Sequence, residues 1–237
     1  MYPIKFELSE DERNEAIETL SEMLDPVEIH IFVSNNCPTC GETIKLVEFV
    51  KESAPDGKVI TKVFDKAKNH TVLEKEGVRR IPTLTLLDGM IKYTGIPSGE
   101  EFRGFIETIM RLSEGESGLE DETGRKLVRL GRDIYVEVIV TPPCPYCPYA
   151  ALLSNMFAFE SWKTGSKRYV SDIVEAYENP DIADRYNVQS VPTITINGVK
   201  VFIGLPVEED FINYVEYADR GEIEKMKMKD YGDATGL

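Results

Sequence analysis

The chain repeats itself. Its four cysteines fall in two close pairs, Cys37-Pro38-Thr39-Cys40 and Cys144-Pro145-Tyr146-Cys147, whose first members are 107 residues apart. Ile81-Pro82-Thr83 returns as Val191-Pro192-Thr193, 110 residues later. Gly89, Gly95, Pro97 and Phe102 return as Gly198, Gly204, Pro206 and Phe211, each 109 later. So many landmarks in one order, at a nearly constant offset, require two copies of one structural unit. Small loop insertions account for the drift. Half of 237 residues is enough for each copy to bury its own core, and we read residues 1–115 and 116–237 as the two units.

Each copy has the same string of elements. A first helix is expected near 9–24 and again near 119–130; in the first, Ile17, Leu20 and Leu24 form an apolar stripe. A strand rich in β-branched residues follows, Val27 to Val33 and Ile134 to Val140, and runs into the cysteine motif. Helices are expected near 38–53 and 145–163, then strands near Val59–Phe64 and Arg168–Ser171. A short helix precedes each Pro-Thr. Two hairpins follow, Thr83–Leu87 with Ile91–Thr94 around Asp88-Gly89, and Thr193–Ile196 with Val199–Ile203 around Asn197-Gly198. Asp-Gly and Asn-Gly are strong hairpin turns because both residues tolerate positive φ. Last helices span about 98–112 and 207–219, residues 113–124 read as the connection, and the tail from Lys225 to Leu237 is polar with a frayed end. The fold class is α/β: two tandem units, each a central mixed β-sheet flanked by helices.

The spacing of the cysteine pairs has a chemical meaning. Cysteines separated by two residues can close a small disulfide ring at the start of a helix. Free N–H groups and the helix dipole stabilise an anion there, which lowers the first thiol's pKa and yields a thiolate at neutral pH. Cys37 and Cys144 each follow a strand and precede a proline, a residue suited to the first helical turn. They are the candidate nucleophiles. Cys40 and Cys147, one turn into the helix, are the candidate resolving thiols. The competing reading is a metal site, since two such pairs can supply four thiolates for zinc. Zinc ribbons usually separate their pairs by roughly 15–20 residues, so redox chemistry fits better and no metal ligands are assigned.

Composition narrows the partners. Lys and Arg number 27 against 42 Asp and Glu, a net charge of −15, which argues against nucleic acid or an anionic membrane as main partner. No run approaches the ~18 apolar residues of a membrane span, and the start, Met1-Tyr2-Pro3-Ile4-Lys5-Phe6, lacks the pattern of a signal peptide. The expectation is a soluble cytoplasmic protein, where close cysteine pairs are more often catalytic than structural. There is no Gly-x-Gly-x-x-Gly after a strand, so no bound NADPH or flavin is expected.

Each copy resembles the thioredoxin/glutaredoxin family through its strand followed by Cys-Pro-x-Cys, its Ile/Val-Pro-Thr and its glycine-ended hairpin. The tandem resembles the glutaredoxin-like protein disulfide oxidoreductases of thermophilic archaea and bacteria; Thr141-Pro142-Pro143-Cys144-Pro145-Tyr146-Cys147-Pro148 and Tyr186 to Pro192 carry the likeness. The resemblance implies two thioredoxin-fold units, redox disulfides Cys37–Cys40 and Cys144–Cys147, and cis peptide bonds at Pro82 and Pro192. It implies that the backbones of Ile81 and Val191 bind an extended substrate segment by strand addition. It also implies protein disulfide substrates and an external thioredoxin-reductase-like flavoprotein as electron donor. Oxidase and isomerase activities stay open.

The sequence departs from the family in places. Thioredoxins often bury an Asp six residues before the first cysteine; here Ile31 and Val138 stand there. His30 and Glu137 point to the opposite face. We therefore expect no buried carboxylate at that place, proton transfer through water or another group, and surface or edge roles for His30, His70 and Glu137. Glutathione-using glutaredoxins carry a Lys before the motif and a Gly-Gly pair after the hairpin. Ser34 and Thr141, then Gly95-Ile96 and Gly204-Leu205, replace them. A glutathione-dependent glutaredoxin is thus an alternative, as is a metal-binding protein. Gly95 and Gly204 also have a plain structural role in relieving backbone crowding. The lone Trp162 is expected in the core. Because its motif matches the family better, the second site is expected to dominate.

Overall fold

The computed structural model describes residues 4–231. The first copy consists of α1 (Glu10–Ser21), β1 (Val27–Val33), α2 (Cys40–Ser53), β2 (Val59–Asp65), α3 (His70–Lys75), β3 (Thr83–Leu86), β4 (Ile91–Thr94) and α4 (Glu100–Glu114). The second repeats it with α5 (Asp121–Val128), β5 (Ile134–Val140), α6 (Cys147–Lys163), β6 (Tyr169–Glu175), α7 (Pro180–Arg185), β7 (Thr193–Ile196), β8 (Val199–Ile203) and α8 (Glu208–Asp219). A two-residue strand β9 (Lys229–Asp230) follows; residues 232–237, the end of the expected frayed tail, lie outside the described residues. No described helix is long and apolar enough to cross a membrane.

Within each copy the pairing is that of a mixed sheet. β1 runs parallel to β2 and antiparallel to β3, and β3–β4 is the hairpin. β5, β6, β7 and β8 repeat this. The two sheets then merge. β4 pairs in parallel with β6, from Ile91 opposite Ser171 to Thr94 opposite Val174, and the order becomes β2-β1-β3-β4-β6-β5-β7-β8-β9. Thr94 Oγ1 donates to Asp172 Oδ1 at 2.7 Å across this join. The second strand of the second copy is therefore central, and buried residues run almost its whole length. It extends to Glu175, four residues beyond the expected end, because polar Ser171 and Asp172 are paired inside the sheet.

The main core lies between the sheet and a layer formed by α1, α2, α4, α5, α6 and α8. Two small clusters cover the other face, Phe32 with Leu73 and Val78 under α3, and Ile139 with Val174 and Ile182 under α7. Strand alternation explains the split: Ile31 and Val138 face the large core while Phe32 and Ile139 face the small ones. α1 buries Ala16 and Leu20 but leaves Ile17 and Leu24 at 40% and 63% exposure. The helix ends at Ser21 and turns its inward stripe one residue away from the one expected. Trp162 is half-buried at the rim, stacked on Phe159, rather than in the core. Its indole nitrogen is itself buried and meets no protein acceptor. The connection is only 115–120, because α4 continues to Glu114 and is closed by Gly115 in the left-handed conformation.

α4 and α6 cross the seam between copies, and a buried network joins them. Asn155 Nδ2 donates to Tyr93 Oη (2.9 Å) and Thr108 Oγ1 (3.1 Å), and Asn155 Oδ1 accepts from Ser171 Oγ at 2.7 Å. Thr108 Oγ1 donates to the Gly104 carbonyl, so Tyr93 Oη donates to Thr108. Removing one member of such a network strands buried partners at about 1–3 kcal/mol. Asn155→Ala is therefore expected to lower unfolding stability by about 2–3 kcal/mol, read from the urea midpoint; an unchanged midpoint would show that the seam does not depend on this network.

Candidate active site

Both cysteine pairs are closed as disulfides at the C-terminal ends of β1 and β5, with S–S distances of 2.09 Å and 2.20 Å. The strands deliver the chain to the top of the sheet, and α2 and α6 carry it away. Cys40 and Cys147 are the first residues of their helices rather than a turn inside them; Thr39 and Tyr146 are the N-caps. The N-terminal end of the helix still meets the sulfur as its free N–H groups require. Cys147 N–H donates to Cys144 Sγ at 3.2 Å. Cys40 and Cys147 are 5% and 0% exposed, Cys144 is 7% exposed and Cys37 is more open.

Ile81–Pro82 and Val191–Pro192 are both cis. Cys144 Sγ lies 3.7 Å from the Val191 carbonyl oxygen. The disulfide sulfur has no proton to give there, but the reduced thiol does. Pro82 and Pro192 are tied to the hairpin ends, with Gly95 N–H donating to the Pro82 carbonyl (2.9 Å) and Gly204 N–H to the Pro192 carbonyl (2.8 Å). The structure thus brings Cys37, Cys40, Pro82 and Gly95 to one end of the first copy, and Cys144, Cys147, Pro192 and Gly204 to the same end of the second.

Three carboxylates that the sequence reading missed lie at this end of the seam. Ile31 and Val138 are buried and apolar, as expected, but carboxylates arrive from the neighbouring copy. Glu178 accepts from Thr39 Oγ1, within the first cysteine motif, and from Ile96 N–H at 2.6 Å. Glu175 accepts from the N–H groups of Tyr177 (2.9 Å) and Glu178 (2.6 Å). Glu101, in the first turn of α4, is 1% exposed and neither of its oxygens meets a protein donor. Gly95 and Gly99 allow the approach. Gly95 has φ 101°, and a Cβ there would sit 2.7 Å from Glu175 Cβ and Glu178 Oε2. Gly99 has φ 62°, and a Cβ would sit 2.5 Å from the Pro142 carbonyl oxygen. A plain repeat comparison aligns Glu178 with Lys68 and Glu175 with Asp65; nothing local marks them, because only the β4–β6 pairing moves their loop over the first copy.

Burial, then the charge of Glu175, pushes the Glu101 carboxyl up to about 8. Burial also pushes Glu175 up to about 7, with the charge of Glu178 adding to the rise and two backbone N–H groups opposing it. His30 and Glu137 are buried, not at a surface or edge, because β1 and β5 are interior strands. His30 Nδ1 lies 2.7 Å from Glu76 Oε1, and its pKa is raised by that bond first and lowered by burial. Glu137 accepts from Tyr186 Oη (2.5 Å) and Thr195 Oγ1 (3.2 Å). Neither residue touches a cysteine. His70 is exposed on α3.

A strand, a redox disulfide at a helix start and a cis-proline beside it define a thioredoxin-fold thiol–disulfide oxidoreductase, here in two copies. The chain belongs to the thioredoxin family, whose domain model, described as "Thioredoxin domain", matches residues 27–107 and 134–216. It is similar to a protein disulfide oxidoreductase from Aeropyrum pernix K1, with 48% identity and a TM-score of 0.90 over 94% of this chain and 98% of that one. A thioredoxin of Methanocaldococcus jannaschii is 32% identical over 83 residues, which is 35% of this chain and 93% of that protein. A domain of an alkylhydroperoxide reductase from Enterococcus faecalis shares the fold, with 18% identity and a TM-score of 0.77 over 87% of this chain and 99% of that one.

The raised carboxyls give the stability a sign. Glu101 and Glu175 hold protons in the folded chain at pH values where the unfolded chain, at an ordinary 4.5, has lost them. The folded state binds more protons, so their contribution to stability falls as pH rises from about 4.5 towards 8. Glu101→Gln is expected to match the parent near pH 4.5 and to exceed it by about 2–4 kcal/mol at pH 8, since each tenfold change in an ionisation constant is worth ~1.4 kcal/mol. Urea unfolding at the two pH values, with disulfides intact, checks this; equal stabilities at pH 8 would show that Glu101 ionises freely.

Proposed function

We propose that the chain reduces protein disulfides, with Cys37 and Cys144 as nucleophiles, Cys40 and Cys147 as resolving thiols, and the second site as the main port for clients. The observation that carries the ranking is the state of the hairpin end beside each cis-proline. In the first copy the Ile96 N–H is occupied by Glu178 and Ile96 is fully buried. In the second, the equivalent Leu205 is half-exposed and its N–H meets no acceptor among the described residues. Exposure of the nucleophile alone favours the opposite ranking, since Cys37 is more open than Cys144. An extended client, however, needs a free backbone edge as well as a reachable sulfur.

In the reductive direction the Cys144 thiolate attacks one sulfur of the client disulfide. The client S–S bond breaks, a Cys144–client mixed disulfide forms, and one client thiolate leaves and takes a proton. Cys147, once deprotonated, attacks Cys144 Sγ and releases the second client thiolate. The client gains two electrons and the enzyme ends with Cys144–Cys147 oxidised. The helix N-terminus favours each thiolate form on the way. Val191 and Pro192, with Ile81 and Pro82 in the first copy, line the place for the client backbone.

Restoring the dithiols needs an outside donor, and a thioredoxin-reductase-like flavoprotein in the cytoplasm fits the chemistry, with no cofactor bound to the chain itself. The missing lysine and second glycine speak against glutathione. The four sulfurs are joined in two separate pairs, which speaks against one shared metal centre.

Cys144→Ser is expected to lower reduction of a disulfide-bonded model protein by tenfold or more, with dithiothreitol as donor. Cys37→Ser is expected to keep most of the activity. The reverse ranking would move the client port to the first copy. With NADPH and a thioredoxin-reductase-type flavoprotein as donor, NADPH oxidation is expected to follow client reduction; strict dependence on glutathione would replace this reading.

A further inference from the structure

The two copies carry the same loop between their second strand and short helix, but only one of these loops has a neighbour. In the first copy it spans 65–69, beside the edge strand β2, and folds on itself: Asp65 N–H donates to Asn69 Oδ1 at 2.9 Å. In the second it spans 175–179 beside β6, and the β4–β6 join sets it over the first copy's cysteine motif. Asn179, the counterpart of Asn69, donates to the Glu175 carbonyl of its own loop at 2.9 Å and also to the Thr94 carbonyl of β4 at 3.2 Å. Glu178 stands where the first copy has Lys68. Its carboxylate accepts hydrogen bonds from the Thr39 hydroxyl and the Ile96 N–H.

Thr39 is the third residue of Cys37-Pro38-Thr39-Cys40, is 5% exposed, and is the N-cap of α2. A threonine there ordinarily turns its oxygen onto the helix's free N–H groups. Thr39 makes no such bond; its hydroxyl points out to Glu178. At the second motif Tyr146 is the N-cap, and no carboxylate is bonded to it among the described residues. The two disulfides thus differ in one electrostatic respect: a half-buried carboxylate clasps the first motif only.

We infer that Glu178 acts as a positioning residue, working through Thr39 to make the first disulfide the more reducing of the two. This rests on both pairs being redox couples. Reduction of Cys37–Cys40 by a dithiol breaks the enzyme S–S bond and forms the donor's. Two electrons pass to the enzyme, one proton goes to Cys40, and the other goes to solvent when Cys37 is left as the thiolate. The helix start favours that thiolate. A carboxylate bonded to Thr39, two residues along the chain from Cys37, opposes it, and a half-buried site weakens the opposition less than water does. The oxidised form, which carries no charge, is favoured. Unit 2 thereby holds unit 1's couple at a lower potential than its own.

The test equilibrates the full chain in thiol–disulfide buffers, traps free thiols, and reads both couples by peptide mass from the same samples. In the native chain Cys37–Cys40 is expected to lie at a lower potential than Cys144–Cys147. Glu178→Gln keeps the shape: its amide oxygen can accept from Ile96 and its amide nitrogen can donate to Thr39. It is expected to shift the first couple about tenfold towards the dithiol, about 30 mV for two electrons, and to leave the second in place. A first couple that is not the lower one in the native chain overturns the inference without any variant. So does a first couple that Glu178→Gln leaves where it was, or a shift of both couples together, which would be general loosening. If neither cysteine pair titrates as an intramolecular couple, the oxidoreductase reading itself fails, and that outcome is distinct from the others.

Discussion

The parallel pairing of β4 with β6 is the contact on which the rest of the molecule depends. Each copy could present an edge strand, β4 or β6, to solvent, and an exposed edge is a row of unpaired N–H and C=O groups. Here the two edges satisfy each other, with Lys92 opposite Asp172 and Tyr93 opposite Ile173. One continuous sheet then forces α4 of the first copy against α6 of the second. They approach closely at Gly104, where a Cβ would meet Pro148 Cβ at 3.0 Å. The Asn155 network and the carboxylates around Glu101 are consequences of that same join. They sit at the seam because only there do groups of both copies become buried together.

The repeat also shows how one structural job can be done with reversed chemistry. In the first copy, His30 on β1 meets Glu76 after α3, and Glu76 also accepts from Thr85 on β3. In the second, Glu137 on β5 meets Tyr186 after α7 and accepts from Thr195 on β7. The three positions correspond at offsets of 107, 110 and 110. Each set pins the short helix to the sheet through one carboxylate and two partners. The carboxylate has moved from the helix end to the strand. The first pin uses a group whose pKa is raised by its partner, so its contribution is present at low pH and is lost as pH rises through the folded value. The second uses a neutral phenol and has no such weakness near neutrality.

Most of the fold within a copy was legible because its signals are local. Val27 to Val33 and Ile134 to Val140 match observed strands, and the Asn197-Gly198 turn has both residues at positive φ, as an Asn-Gly hairpin requires. The cysteines and prolines of the site were legible for the same reason: each belongs to a short motif repeated in order. What was not legible depends on contacts between copies. Glu175 and Glu178 carry no local signal, and their role follows only once β6 is placed beside β4. The expected surface roles of His30 and Glu137 failed because a lone charged residue on a strand says nothing about which helix end will meet it. Leu24 failed because α1 stops at Ser21, a boundary set by the following turn rather than by the apolar period.

Fusing two copies of a redox fold is often pictured as doubling an activity, but the geometry here makes the copies unequal. The seam runs beside the first copy's cis-proline and hairpin end, whereas the second copy's hairpin end lies next to the short β9 at the other edge of the sheet. The first site therefore meets the body of the other copy, whereas the second, among the described residues, meets only the short β9 segment paired with Phe202 and Ile203. Whatever residue occupies position 178 faces Thr39 and Ile96 by virtue of topology alone. A carboxylate there acts on the first motif and has no counterpart acting on the second. Divergence of the two sites follows from the β4–β6 join even before Thr39 and Tyr146 are considered, because the join gives one site a neighbour that a symmetric pair of separate domains would lack.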